Sequence, residues 1–204
     1  QSDLGTLYLM LGDLGRATEH FERCLAIARE IGDRRGEAFS REGLGRIHLA
    51  GGATAAARTE LRAARETASA IGGRRRHAWI TLALAELETR EENPEGAGRL
   101  LRAVASTGRA VDSPSLRVLA LARLADASPE DARAAAAIYA AHAEHLPLLH
   151  RMEAAFLLGR ATGDPAYGTT AGADLDRLVR DAPEDAPVRI DAVPLYCDVR
   201  AEGA

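Results

Sequence analysis

The sequence predicts an all-α protein, an α-solenoid of about five antiparallel helix pairs stacked on one another. Three observations predict it. The chain aligns with itself at an offset of 40 residues. Within each unit the apolar residues recur with a helical period. The composition is also helical, with 43 Ala, 47% apolar residues and only 4% aromatic ones. An all-β sandwich or barrel would need Val, Ile, Thr, Tyr and Phe in short alternating runs. A chain of 204 residues is long enough to bury a core, and here small side chains must pack that core closely.

In the first unit Leu4, Tyr8 and Leu11 lie at i, i+4 and i+7 of one helix, and Ala17, Phe21, Cys24, Leu25, Ala28 and Ile31 continue one stripe of a second. Between them Gly12 can close the first helix in the left-handed conformation, and Asp13 can cap the second. The columns then repeat. Leu4, Leu44, Leu84 and Leu124 align, as do Gly5, Gly45, Ala85 and Ala125, then Ala17, Ala57 and Ala97, then Phe21, Leu61 and Leu101, then Cys24, Ala64 and Val104. Ile31, Ile71 and Val111 close the unit. The linkers align too, Gly32-Asp33-Arg34-Arg35 with Gly72-Gly73-Arg74-Arg75, followed by Ala38-Phe39 with Ala78-Trp79. The small columns let backbones approach, and the Leu4 and Phe21 columns fill the space between hairpins. A single hairpin cannot bury such a stripe, so stacking is required.

Residues 1–112 therefore read as three repeats. Residues 113–180 read as two degenerate hairpins with helices near 114–126, 129–145, 147–162 and 167–180, where the 40-residue register slips. Their turns are Asn93-Pro94 in the third unit, then Ser113-Pro114, Ser128-Pro129 and Asp164-Pro165, each a capping side chain before a Pro at the first helical position. Residues 181–204 carry Pro183, Pro187 and Pro194, which break any long helix. Val188, Ile190, Val193, Leu195 and Tyr196 still need burial, so this segment is expected to fold back as a cap over the apolar end of the stack, the alternative being a disordered tail.

A net charge of −4 favours neither nucleic acid nor an anionic membrane as a partner. All 26 basic residues are Arg, and Asn93 is the sole Asn, a bias that points to a high-GC bacterial genome. With Cys24 and Cys197 alone there is no disulfide framework, and no apolar run approaches about 18 residues, so a cytoplasmic location is expected. The chain begins Gln-Ser-Asp inside an apolar period, which suggests further, covalently attached domains.

Leu4-Gly5-x2-Tyr8 followed by Ala17-x3-Phe21 resembles the tetratricopeptide repeat pattern. The 40-residue spacing and the segment from Ala26 to Ala38 are similar to the longer variant found in kinesin light chains and bacterial regulators. The resemblance covers residues 2 to 112, with His48 and Glu88 in place of the Tyr and Ala85 in place of the Gly. It implies a right-handed stack in which the first helix of each hairpin lines a concave groove that holds a protein or peptide. Carried over, the groove residues would be Glu42, Arg46 and Leu49 in the second unit, Trp79, Leu82, Glu86 and Arg90 in the third, and Arg123 in the fourth. Trp79 either anchors the partner or packs between hairpins as the aligned Phe39 would. The paired basic and Asn residues that some members use to hold a terminal carboxylate have Glu42, Gly43, Ala83 and Glu86 in their place, so that ligand is not expected. Arg46 and Glu86 stand where the longer variant often has Asn.

The remaining chemistry-bearing residues have plainer readings. Arg74-Arg75-Arg76-His77 lacks interleaved aromatics and is expected in a solvated inter-hairpin turn. His142 and His145 share a helix face near His150 without a Cys or a third ligand, so no metal is expected. Cys24 occupies a packing column, and Cys197 has no neighbouring base in sequence. There is no phosphate loop, Gly-x-Ser-x-Gly elbow or His-Glu-x2-His pair, so neither a cofactor nor an enzyme activity is expected. The expected function is a protein- or peptide-binding module, the sensor or scaffold part of a larger bacterial regulator. The alternative is a receptor for a small ligand or signalling peptide that acts by ligand-driven compaction. An Ala-rich end of such a stack could also pair with a second copy in a homodimer.

Overall fold

The computed structural model describes residues 2–202. Among these residues every regular element is helical: α1 (Ser2–Met10), α2 (Leu14–Glu30), α3 (Arg34–Ala50), α4 (Thr54–Ala70), α5 (Arg74–Arg90), α6 (Pro94–Ala110), α7 (Pro114–Leu124), α8 (Pro129–His142), α9 (Leu148–Thr162), α10 (Pro165–Asp181) and α11 (Pro194–Glu202). Short 3₁₀ turns at Ala143–His145 and Ile190–Ala192 join the later helices. Consecutive helices pack as antiparallel neighbours, and α1, α3, α5, α7 and α9 also touch in succession. The protein is an all-α helical-repeat solenoid, with these odd-numbered helices stacked side by side.

The helices from α2 to α7 start at intervals of 20 residues because the same turn recurs. Gly12, Gly32, Gly52 and Gly72 all have φ between 66° and 77°, and the next two equivalent positions are Glu92 (φ 57°) and Asp112 (φ 48°). Each lets the following amide reach back to a carbonyl five residues earlier, from Asp13 to Tyr8 (2.9 Å) through to Ser113 to Gly108 (2.8 Å). This is the Schellman closure, which satisfies carbonyls that a helix end leaves open. The next residue caps the following helix: Asp13, Asp33, Asn93 and Ser113 each accept a backbone amide through the side chain. Ser128 and Asp164 do the same for α8 and α10.

Close approach does the packing. A Cβ on Gly43 would lie 2.4 Å from the Phe21 ring, and one on Gly45 would lie 2.6 Å from Leu61 Cγ, so α3 can lie directly on both helices that flank it. The Leu column behaves as the repeat requires in three units, with Leu44 at 6%, Leu84 at 3% and Leu124 at 6% exposure, but Leu4 is 44% exposed. Leu4 and Leu7 lie on the outer face of the first hairpin, which no described residue covers. Their counterparts Leu44 and Ile47 are buried with Phe21 and Leu25 of α2.

Beyond α7 the spacing of helix starts changes. Leu116, Leu119, Met152, Phe156, Leu158 and Leu175 form one core with Tyr196 and Val199 of α11. The Arg74 to His77 run is not an inter-hairpin turn. It forms the first turn of α5, because Gly72 and Gly73 complete the preceding closure before Arg74.

Two substitutions isolate the turn. Gly52 has φ 76° and open space where a Cβ would sit, so Gly52→Ala should cost about 1 kcal/mol from backbone strain alone. Glu92→Gly should raise stability by about 0.5–1 kcal/mol, the strain relieved outweighing the extra freedom of the unfolded chain. Urea unfolding midpoints that move in the opposite directions would contradict the role assigned to this position.

Candidate functional site

Helices α1, α3, α5 and α9, with Phe21 of α2, line a cavity of about 410 Å³. Leu9 of α1, Phe21 of α2, Phe39 and Gly43 of α3, and Trp79 of α5 give it an apolar lining, to which His150 of α9 adds its ring. Its charged groups are Glu42, Arg46, Arg75 and Arg76. Trp79 is half-buried. It faces the cavity, and its ring stacks on His150 with centroids 4.7 Å apart and an interplanar angle of 22°.

The eight expected groove residues separate into three groups. Leu49 and Leu82 are 2% and 0% exposed and belong to the core. Each odd-numbered helix lies on the next, so Leu49 packs with Ile80, Leu84 and Leu87 of α5, and Leu82 with Leu116 and Leu119 of α7. Neither can touch a ligand, which corrects their assignment to the groove.

Four charged residues, Glu42, Glu86, Arg90 and Arg123, are each engaged in ion pairs. Arg76 donates to Glu42 at 2.7 Å and lies 4.6 Å over the Phe39 ring. Arg90 donates to Glu86 (2.9 Å) and to the Leu49 carbonyl (2.6 Å). Arg123 lies 3.6 Å from Glu86 and donates to Glu153 of α9 at 3.0 Å. The result is a ladder of alternating charge, Arg90–Glu86–Arg123–Glu153, across three successive odd-numbered helices. Burial acts to raise the Glu86 carboxyl, but Arg123, Arg90 and Arg46 together hold it below its usual range. Burial likewise acts against the Arg123 cation, and Glu153 and Glu86 more than offset it. Opposite charges thus keep both signs together on a partly exposed wall.

Arg46 and Trp79 remain, and the structure brings them together at the cavity. Among the described residues Arg46 has no hydrogen bond or ion pair of its own, although its charge is felt by Glu86 and by His150. Arg75 spends one donor on the Val111 carbonyl at 3.0 Å. The cavity therefore carries more positive than negative charge, with aromatic walls and one uncommitted guanidinium. Such a surface suits an anionic group attached to an apolar one.

His150 was not legible in the 40-residue register, because it follows the slip in repeat spacing. Phe39 was legible as the counterpart of Trp79. The Nδ1 atom of His150 is buried without a hydrogen-bond partner. Burial pushes its pKa down to about 4, with Arg46 and Arg123 adding to the effect and Glu153 opposing it. Among the described residues no three His, Cys, Asp or Glu side chains gather where a metal could be held. Cys24 is part-buried, and Cys197 is exposed with its thiol directed at the Ile190 carbonyl (3.3 Å). No described helix is long and apolar enough to cross a membrane.

The His150 shift has a definite sign. The unfolded chain binds a proton near pH 6.5 and the folded chain only near 4, so the stabilisation is complete above pH 6.5 and is lost as pH falls towards 4. Between pH 7 and pH 5 the stability of His150→Gln should fall by about 1–2 kcal/mol less than that of the native chain, as read by urea denaturation. Equal losses would show that His150 does not resist protonation.

Comparison with known proteins agrees with the helical repeat of the fold. Residues 1–70 match the family model described as tetratricopeptide repeat. No curated protein matches the chain. The matched residues span α1 to α4, the two hairpins with Gly at every left-handed turn position and the Phe21 and Leu61 packing columns. Over these residues the chain is similar to the tetratricopeptide repeat family.

Proposed function

We propose that the chain is a non-catalytic protein- or peptide-binding module whose partner docks in the cavity between α1, α3, α5 and α9. Tetratricopeptide repeats generally mediate protein–protein interaction, and the observation that carries the reading here is Arg46. It is an uncommitted cation in a cavity with Phe39, Trp79 and Leu9 as its walls. The partner segment that fits is one with a large apolar side chain for the Trp79–Phe39 surface and an adjacent acidic group for Arg46. Arg76 and Glu42 would border that contact while remaining paired with each other. Three regular hairpins (1–112), two irregular ones (113–180) and the C-terminal segment (181–204) act in this reading as one binding unit. That unit would serve as the sensor or scaffold part of a larger bacterial regulator, as the resemblance to such arrays suggests, with partner binding biasing the attached domains.

A second reading is favoured by the cavity's dimensions. About 410 Å³ lies within the range that holds small ligands or a few residues of a signalling peptide. Such a ligand would stabilise the chain by mass action, so its melting temperature would rise with ligand concentration.

Trp79 is the sole Trp, so its fluorescence reports binding directly. Titration with a library of short acidic-apolar peptides should give saturable changes. Arg46→Glu should weaken them by about tenfold or more by replacing a charge-assisted contact with a repulsion. Trp79→Ala should weaken binding comparably when followed calorimetrically. Equal affinities for the native chain and both variants would remove the cavity as the binding site, whereas saturation by small carboxylates with no response to peptides would select the second reading.

A further inference from the structure

The segment that follows α10 touches the opposite end of the chain. The Arg189 amide donates to the Leu11 carbonyl at 2.7 Å, and the Tyr196 hydroxyl donates to the Met10 carbonyl at 2.6 Å. Arg16 reaches the Asp185 carbonyl at 3.3 Å, and Arg189 lies 3.7 Å from Asp13. The turn that closes α1 uses the Leu7, Tyr8 and Leu9 carbonyls. Met10 and Leu11 are acceptors which a helix end leaves without an intrahelical donor, and these are the two carbonyls that the C-terminal segment takes.

A second observation singles out the same turn. At Gly12 a Cβ would lie 2.6 Å from the Arg189 carbonyl oxygen and 3.2 Å from the Ala192 Cβ, whereas at the equivalent Gly32, Gly52 and Gly72 it would meet nothing within 4 Å. Of four like turns, only the first has another chain segment seated on it. The other side of that segment is anchored in the last hairpins, where Tyr196 and Val199 are buried in the core that includes Met152, Phe156 and Leu175. Burial and the nearby Glu153 carboxylate both push the Tyr196 phenol up, so its hydroxyl keeps the proton it donates to Met10.

We propose that residues 185–196 are an intramolecular clasp: they hold the turn of the first hairpin against the last hairpins, close the array around the cavity, and open one wall of that cavity when they let go. The walls concerned are Leu9 of α1 and His150 of α9, which belong to the two ends that the clasp joins. The clasp does not depend on what the cavity binds, because its contacts lie outside the cavity lining. A partner that needs the released form would bind with an apparent affinity scaled by the fraction in which the clasp has let go.

The repeat supplies a matched control. Gly12→Ala and Gly52→Ala introduce the same left-handed strain, at φ 77° and 76°, but only the first places a methyl against the clasp. Both full-length proteins are compared by circular dichroism, by amide hydrogen exchange at Arg189 and by acrylamide quenching of Trp79. The expected result is similar helix content in both. In Gly12→Ala alone the Arg189 amide should exchange about tenfold faster, as the loss of the two tail-to-turn hydrogen bonds implies, and Trp79 quenching should rise. Tyr196→Phe keeps the ring and deletes only the hydroxyl, so it should also speed Arg189 exchange, by about threefold or more. This variant keeps the test decisive if Gly12→Ala fails to fold. Arg189 exchange unchanged in Tyr196→Phe, or equal in the two Gly variants, would overturn the clasp. Faster exchange with unaltered Trp79 quenching would overturn its control of the cavity.

Discussion

No hairpin in this chain can bury its own apolar stripe, and the rest of the structure follows from that. A helix such as α4 presents Ala57, Leu61, Ala64 and Ala68 along one side, and α3 alone covers only part of it. The remainder is covered by α5, whose Ile80, Leu84 and Leu87 share one core with Leu61. Each interface therefore contains residues from two hairpins, and the contacts run between neighbours in sequence as they do in other repeat arrays. Small side chains make this arrangement workable. Where Gly43 and Gly45 face Phe21 and Leu61, a methyl group would already force the helices apart, so the core is held together by close backbone approach more than by bulk.

The same constraint decides the character of the inner wall. Successive odd-numbered helices lie against one another, so a side chain on that wall is either buried in the seam or exposed to charges from the next helix. Leu49 and Leu82 take the first course. Glu86, Arg90 and Arg123 take the second and neutralise one another together with Glu153. Ladders of this kind contribute little net stability, because desolvation offsets most of the attraction, but removing one member strands its partners. What survives for recognition is what the ladder leaves unpaired. At the cavity that is Arg46, which shares the lining with Phe39, Trp79 and the His150 ring stacked on Trp79.

Much of this was legible in the sequence because the fold is periodic. Gly12, Gly32, Gly52 and Gly72 mark helix ends, and Asp13, Asn93, Ser113, Ser128 and Asp164 mark helix starts, through local chemistry that needs no tertiary information. The Phe21, Leu61 and Leu101 column identified the core for the same reason. The site was legible only in part. Alternating Arg and Glu on a helix face reads alike whether the charges meet solvent, a partner or the next helix, so Glu86, Arg90 and Arg123 looked available when they are engaged. Leu49 and Leu82 were misplaced because the one-step offset from Leu44 and Leu84 falls in the seam between stacked helices. His150 and the reach of Arg189 back to Leu11 depend on how far the array curls over its whole length, a quantity no local spacing encodes.

The central claim is that the hairpins are stable only against one another, and one measurement tests it most directly. Leu61→Ala removes a fully buried side chain from the second hairpin, while the sole Trp reports from the third. Equilibrium urea unfolding is followed by far-ultraviolet circular dichroism and by Trp79 fluorescence. The account predicts a loss of about 2–5 kcal/mol, with the two transitions coincident and displaced together. A Trp79 transition that stays at its native midpoint while part of the helical signal melts earlier would show that the third hairpin stands without the second, and would contradict the account.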